Sequence, residues 1–269
     1  MTKNQINTQK QVVKLTVLGC GSSSGTPVIG CSCATCKSTS RKNKRSRSSA
    51  LIQIGSLNFV IDTGPDFRAQ MLRTKIEHID AILYTHPHAD HLNGIDDLRA
   101  FCFKQKDMIP VYGNEFTINN VTNRFDYAFL PANNHWDKPV LQAHTIGDEP
   151  FVVHGVDIIP IKVTHGRWTC TDYRIGNIAW LTDLNAISDE ECAKLKGLDY
   201  LFLDCLRHDP YPSHLGWNAS LALAKKIGAK QTYLIHMTHE MEYAATVTQC
   251  PEGVSIAYDG LKVRSWIKT

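Results

Sequence analysis

No apolar run in the 269 residues reaches the roughly 20 needed to cross a bilayer as a helix, so no membrane span is expected. The opening MTKNQINTQK has no apolar core of the kind that marks a secretory signal. No fixed-period repeat is visible, which sets aside solenoids and propellers. No composition shift reads as a linker, so residues 1–269 are expected to form a single domain. An excess of one charge is also missing: a net +3 says little about any partner. CGSSSGTP (20–27) lacks the Lys-Ser/Thr of a phosphate-binding P-loop and the spacing of a dinucleotide fingerprint.

What the chain has in quantity is cysteine and histidine, nine and twelve residues. The cysteine count is odd and three crowd into CSCATC, a pattern that in a reducing compartment points to metal rather than to disulfides. A cytoplasmic location is expected. Cys20, Cys102, Cys170, Cys192, Cys205 and Cys250 have no partner by spacing and read as packed thiols. Strand patterns cover 12–19, 50–54, 57–62, 79–85, 152–166, 176–183, 199–205 and 231–237, with 50–62 as a hairpin. Helical spacing covers 66–74 and 219–230, the latter stopping near Gly228. SDEECAKLKG carries a capping box of Ser188 and Glu191 with Gly197 as its stop. Strands alternating with helices give an α/β protein, and the early hairpin excludes a purely parallel sheet. The one charge run, RKNKRSRSS (41–49), is first of all a solvated loop; its functional reading is attraction of an anion, with Arg47 nearest the next strand.

LYTHPHADHLNGID (83–96) concentrates chemistry. Alternate residues of an extended segment share a side, so His86 and His88 can grip one cation, while Asp90 and His91 follow where the chain turns. A lone histidine is usually structural; four ligand types within six positions after an apolar strand reverse that reading. His165, Asp183 and His236 each close an apolar run, where an α/β sheet builds its site. Seven such ligands suffice for two metal ions of the zinc, manganese or iron kind. Cys31, Cys33 and Cys36 give three thiolates on a tight loop. Zinc with three cysteines and one histidine is a common structural set, and His239, three residues past His236, is the candidate fourth. Asp62 and Asp66, in IDTGPDF, are acidic alternatives; Asp62 reads better as a residue that orients a ligand histidine.

The order TH-P-H-A-D-H followed by a distant His, Asp and His resembles the metallo-β-lactamase superfamily along nearly the whole chain. The resemblance implies a four-layer αββα sandwich with two metal ions, zinc or manganese, at one edge. It implies that His86, His88 and His165 hold one ion, that Asp90, His91 and His236 hold the other, and that Asp183 bridges them. C-x-C-x2-C with the late H-x-x-H is similar to the subgroup typified by the phosphoribosyl 1,2-cyclic phosphate phosphodiesterase of phosphonate breakdown. There Cys31, Cys33, Cys36 and His239 would hold a structural zinc. DCLRHDPYPSHLGWNAS (204–220) resembles the stretch that contributes an active-site histidine, here His214 with His208 competing.

Two divalent ions, two carboxylates and a bridging hydroxide leave about one positive charge, which suits an anionic substrate. The expected activity is hydrolysis of a small cyclic or nucleotide-like phosphodiester through that hydroxide, with Asp183 and His214 catalytic. The same machinery acting on RNA, a thioester or a lactone is the alternative, and a non-catalytic metal-binding member of the fold is the second. No extended basic arm for nucleic acid is evident. Two departures bear on specificity: Asp172-Tyr173 stands where Gly-Tyr is expected, and 130–144, with His135 and Trp136, has no counterpart. That segment reads as a lid or as a self-association surface for a homodimer.

Overall fold

The structure is a computed structural model that describes residues 10–129 and 140–268. Fourteen strands form two mixed sheets of seven. The first contains β1 (Lys10–Gly19), β2 (Ser49–Ile54), β3 (Leu57–Ile61), β4 (Ala81–Leu83), β5 (Ile109–Gly113), β6 (Leu141–Thr145) and β14 (Lys262–Lys268), in the order β14-β1-β2-β3-β4-β5-β6. The second runs β13-β12-β11-β10-β9-β8-β7, with β7 (Phe151–Val153), β8 (Val156–His165), β9 (Trp168–Ile175), β10 (Ile178–Leu181), β11 (Tyr200–Asp204), β12 (Gln231–Ile235) and β13 (Val254–Ile256). In each sheet an antiparallel half gives way to a parallel one, at β3–β4 and at β10–β11.

Period-two alternation explains the layering. Val13, Leu15, Val17, Ile52, Ile54, Phe59 and Ile61 point inward and share one core with Ile158, Ile161, Trp180, Phe202 and Leu234 of the second sheet. The alternate residues Leu18, Leu51, Val60 and Ile82 point outward, into a second core under α2 (Phe67–Thr74), α4 (Leu98–Gln105) and α5 (Glu115–Arg124). The other α-helices are α1 (Ala34–Lys37), α3 (Ala89–Leu92), α6 (Asp189–Ala193), α7 (Trp217–Ile227) and α8 (Tyr243–Val247). The expected αββα sandwich is the observed fold.

Three local readings change. Residues 152–166 are not one strand, because His154 and Gly155 take φ of 49° and 80° and turn the chain back as a tight hairpin between β7 and β8. Ser188 does cap α6, accepting from the Glu191 N–H, but the Glu191 carboxylate does not close the box. It accepts from the Lys162 N–H of β8 at 2.9 Å instead. The helix at 219–230 begins at Trp217 and ends as expected, with Gly228 at φ 71°. His135, Trp136 and most of 130–144 lie outside the described residues.

Candidate metal centre

The histidine and aspartate ligand candidates at 86–91, 165, 183 and 236 all sit at or just past the C-terminal end of a strand, because both sheets place those ends at one edge. Asp62 follows β3, the 85–91 loop follows β4, His165 closes β8, Asp183 follows β10, and His236 follows β12. Asp62, Asp183 and His236 all take the left-handed backbone, with φ of 59°, 52° and 58°. Such values are costly for residues with a Cβ and gather where a side chain must be aimed. Gly64 and Gly94 allow the loops to close: a Cβ at Gly64 would stand 2.0 Å from the Asp90 carbonyl, and one at Gly94 2.1 Å from the Gly64 carbonyl.

The side chains converge as two clusters sharing one member. His86, His88, His165 and Asp183 bring ligand atoms within 4.8 Å of one another, as do Asp90, His91, Asp183 and His236. Asp183 faces both ways. Its Oδ1 lies 3.1 Å from His91 Nε2 and 3.2 Å from His236 Nε2; its Oδ2 lies 3.7 Å from His86 Nε2 and 3.9 Å from His165 Nε2. The buried Asp90 Oδ2, His91 Nε2 and His236 Nε2 have no hydrogen-bond partner. Buried polar atoms left bare are costly, and a cation would satisfy all three together. The donor set of imidazoles and carboxylates fits divalent zinc or manganese.

The imidazoles are held from behind, which fixes the nitrogen presented to the cluster. His91 Nδ1 donates to Asp62 at 2.7 Å, and the Thr85 hydroxyl donates to the same carboxylate at 2.8 Å. That hydroxyl in turn accepts from His86 Nδ1 at 3.0 Å. His165 Nδ1 donates to the Ser213 carbonyl at 2.7 Å. Asp62 therefore orients two imidazoles, directly and through Thr85. Asp66 instead binds Arg47 at 3.0 Å and takes no part. Arg47 is thereby committed to an ion pair, while Arg45 is buried against the carbonyls of Thr238 and Met241, so the 41–49 run is largely structural.

His214 joins the site and His208 does not. His214 stacks on His236 with ring centres 4.9 Å apart, and its Nε2 lies 3.9 Å from Asp183. Its Nδ1 lies 3.4 Å from Asp204 Oδ1. Burial opposes its charge, but the Asp204 hydrogen bond and the nearby carboxylates raise its pKa above the ordinary histidine value. His208 is exposed and rests on Trp217. A cavity of about 270 Å³, lined by Asn185, Tyr211, His214 and also the exposed His208, opens beside His214.

The sequence assigned no place in the site to two carboxylates. Asp204 ends β11, is fully buried, and stands 3.4–3.5 Å from both His214 Nδ1 and His236 Nδ1. Its position at a strand end was the available signal. Asp172 is fully buried; burial first, then the charges of Asp62, Asp183 and Asp204, push its pKa well up, against the lowering effect of the Thr182 N–H. Its neighbour Tyr173 donates to the Tyr84 carbonyl at 2.8 Å.

A third cluster lies alongside. The Sγ atoms of Cys31, Cys33 and Cys36 stand 3.3, 3.3 and 3.5 Å from His239 Nδ1. Tetrahedral zinc with bonds of about 2.3 Å to sulfur and 2.0 Å to nitrogen gives edges of about 3.5 Å, so the set fits. Cys33 caps the N-terminus of α1, and its thiol pKa falls to about 6, chiefly because the Cys36 N–H donates to its sulfur and then because of His239. The CGSSSGTP loop runs between this cluster and β12, with the Ser22 N–H on the Met237 carbonyl at 3.1 Å.

Comparisons agree with this architecture. Residues 57–237 match the family model described as Beta-lactamase superfamily domain. A solved structure described as a new diphosphatase from the PhnP family is 39% identical, covers 97% of this chain and 100% of its own, and superimposes with a TM-score of 0.91. Zinc-bound PqqB from Methylobacterium extorquens shares the fold at 19% identity, TM-score 0.76, over 93% of this chain and 99% of its own. Human short-form tRNase Z shares it at 16% identity, TM-score 0.68, over 93% and 98%. A curated relative from Porphyromonas gingivalis, named octanoyltransferase, is 35% identical over 250 residues, which are 91% of this chain but 50% of that protein. The chain thus spans half the length of that relative. With the strand-end ligands, the sandwich and the family match in agreement, the chain belongs to the metallo-β-lactamase superfamily, in its PhnP-like subgroup.

Proposed function

We propose that the protein is a dinuclear metal-dependent phosphodiesterase acting on a small anionic substrate, a cyclic or nucleotide-like phosphodiester. The single observation that carries this reading is Asp183, whose two carboxylate oxygens face two separate ligand clusters. His86, His88 and His165 would hold one divalent ion, Asp90, His91 and His236 the other, with Asp183 common to both. Such a pair supplies charge for the phosphoryl oxygens and lowers the pKa of a bound water.

The chain's own residues do the rest. Asp62, Thr85 and the Ser213 carbonyl fix the imidazole tautomers. Asp204 holds His214 by Nδ1, which leaves Nε2 turned toward the Asp183 side. From there a protonated His214 donates to the departing oxygen. Cys31, Cys33, Cys36 and His239 would hold a zinc that ties the first loop to the segment after His236.

The diphosphatase relative supports attack at phosphorus. The octanoyltransferase relative favours a second reading, acyl chemistry at carbon, although only half of that protein is matched. The test is metal analysis with a panel of cyclic phosphates, phosphodiesters, diphosphates and thioesters. The proposal expects two catalytic-site metals per chain and turnover on phosphorus. Asp183→Ala should lose at least about 10³-fold of that turnover while remaining folded. Turnover confined to thioesters would reject the phosphorus assignment.

A further inference from the structure

The end of the first sheet remote from the metal centre carries another cavity, of about 670 Å³, on the outer face of β1, β2, β3 and β14 where α2 stops. Gly55, Ser56 and Asn58 line it at the start of β3, whereas Asp62 follows the far end of that strand. At about 3.3 Å per residue the two lie roughly 15 Å apart along β3. A small molecule in this cavity is therefore distinct from one held at the metals.

Its floor is polar where the rest of this face is apolar under helices. Lys14 Nζ donates to Gln53 Oε1 at 3.0 Å, Gln53 Nε2 donates to Asn58 Oδ1 at 2.9 Å, and Asn58 Nδ2 lies 3.1 Å from His78 Nε2. Three strands thus contribute one hydrogen-bonded row. The rim is cationic. Lys14 stands directly opposite Arg264 in the β1–β14 pairing, and Lys262 opposite Thr16, so three cations crowd one patch of a single sheet face. Like charges directly opposite on adjacent strands are destabilising on their own. Burial, then Lys262 and Arg264, lower the pKa of Lys14.

The neighbouring carboxylates are already engaged. Asp259 pairs with Arg73 at 3.6 Å, Glu77 with Lys104 at 3.1 Å, and Asp80 with His78 at 3.3 Å. Among the described residues, Lys14, Lys75, Lys262 and Arg264 have no carboxylate within 4.0 Å. A counter-charge supplied from outside would relieve this repulsion.

We propose that this cavity is a second binding site, for a phosphorylated small molecule carrying at least two negative charges, seated against Lys14 and Lys262, which line it, with Arg264 beside Lys14 on β14. The volume falls within the roughly 300–1,000 Å³ of ordinary ligand pockets. Paired positions on adjacent strands put Cβ atoms about 5 Å apart, so one phosphate can reach both Lys14 and Arg264. The proposal does not depend on the reaction at the metals.

Pyrophosphate, titrated calorimetrically into the metal-loaded full chain, is the probe. Asp183→Ala should still bind one pyrophosphate. The exposed double variant Lys262→Ala/Arg264→Ala, made in that background, should weaken binding by at least about tenfold. The double variant alone should leave turnover unchanged. Should Asp183→Ala fail to fold, the wild type should show two binding steps, of which the double variant removes one. Pyrophosphate binding indifferent to Lys262 and Arg264 overturns the proposal. So does a short single-stranded oligonucleotide that binds through the same cations more tightly than pyrophosphate, which would make the face a nucleic-acid surface.

Discussion

Asp204 shows how one carboxylate, absent from the ligand clusters around Asp183, can govern that centre. It stands behind two imidazoles, that of His214 at 3.4 Å and that of His236 at 3.5 Å. Asp204→Asn keeps the shape but removes the charge, and should cost about 10- to 100-fold in turnover, with smaller loss of metal than Asp183→Ala. Turnover and metal content measured on the same preparation check this. Cys33 offers a second test at this scale. With its thiol near 6, chelator-stripped protein should be alkylated at Cys33 ahead of the other cysteines at neutral pH, and metal-loaded protein should be protected. Peptide mapping reads the order directly. Equal labelling with and without metal would argue against a zinc on those thiolates.

The elements that matter here are short, and their ends carry the chemistry. α3 spans only Ala89–Leu92, yet it delivers Asp90 and His91. It is pinned by backbone contact rather than by length: the Thr63 N–H donates to the His91 carbonyl at 2.8 Å and the Gly94 N–H to the Thr63 carbonyl at 2.7 Å. Gly64 lies in that seam. Gly64→Ala should destabilise the fold by about 1–3 kcal/mol, because its Cβ meets main chain that cannot swing aside. Thermal melts with metal titration check it, and reduced metal affinity should accompany the lower melting temperature. On β9, Trp168 packs 4.5 Å from His88 and 5.5 Å from Phe116, and Arg167 stands 5.7 Å from its ring. Trp168→Ala should raise KM more than it lowers kcat, most clearly for substrates with a flat aromatic group.

For the molecule as a whole, metal and stability are linked. The candidate ligands come from both sheets, so ions held there would cross-link the halves of the sandwich, and an ion in the cysteine cluster would join residues 31–36 to residue 239. Ligands that bind only the folded state stabilise it by about 2.7 kcal/mol at a hundred times their dissociation constant. Removing all metal should therefore lower the melting temperature by several degrees, and re-addition should restore it. Scanning calorimetry before and after chelation decides this, and an unchanged transition would count against resident metal at all three clusters.

The candidate metal-ligand residues were legible because the fold writes them at strand ends. An apolar run that stops at His165, Asp183 or His236 announces itself, and the 86–91 stretch holds four donors in six positions. The αββα class followed from the alternation of strands and helices together with the resemblance these motifs carry. Period-two patterns and local spacing are properties of neighbouring residues, so sequence alone determined them. It did not separate His214 from His208, both histidines in one proline-bearing loop, because their fates depend on β11, where Asp204 waits for one and not the other. Nor did it show Asp204 placed behind two imidazoles, Arg47 given over to Asp66, the hairpin at His154-Gly155, or the cations of β1 and β14 brought face to face. Each of these joins residues distant along the chain or rests on a backbone conformation that no residue type dictates, and only the packing of the two sheets decided them.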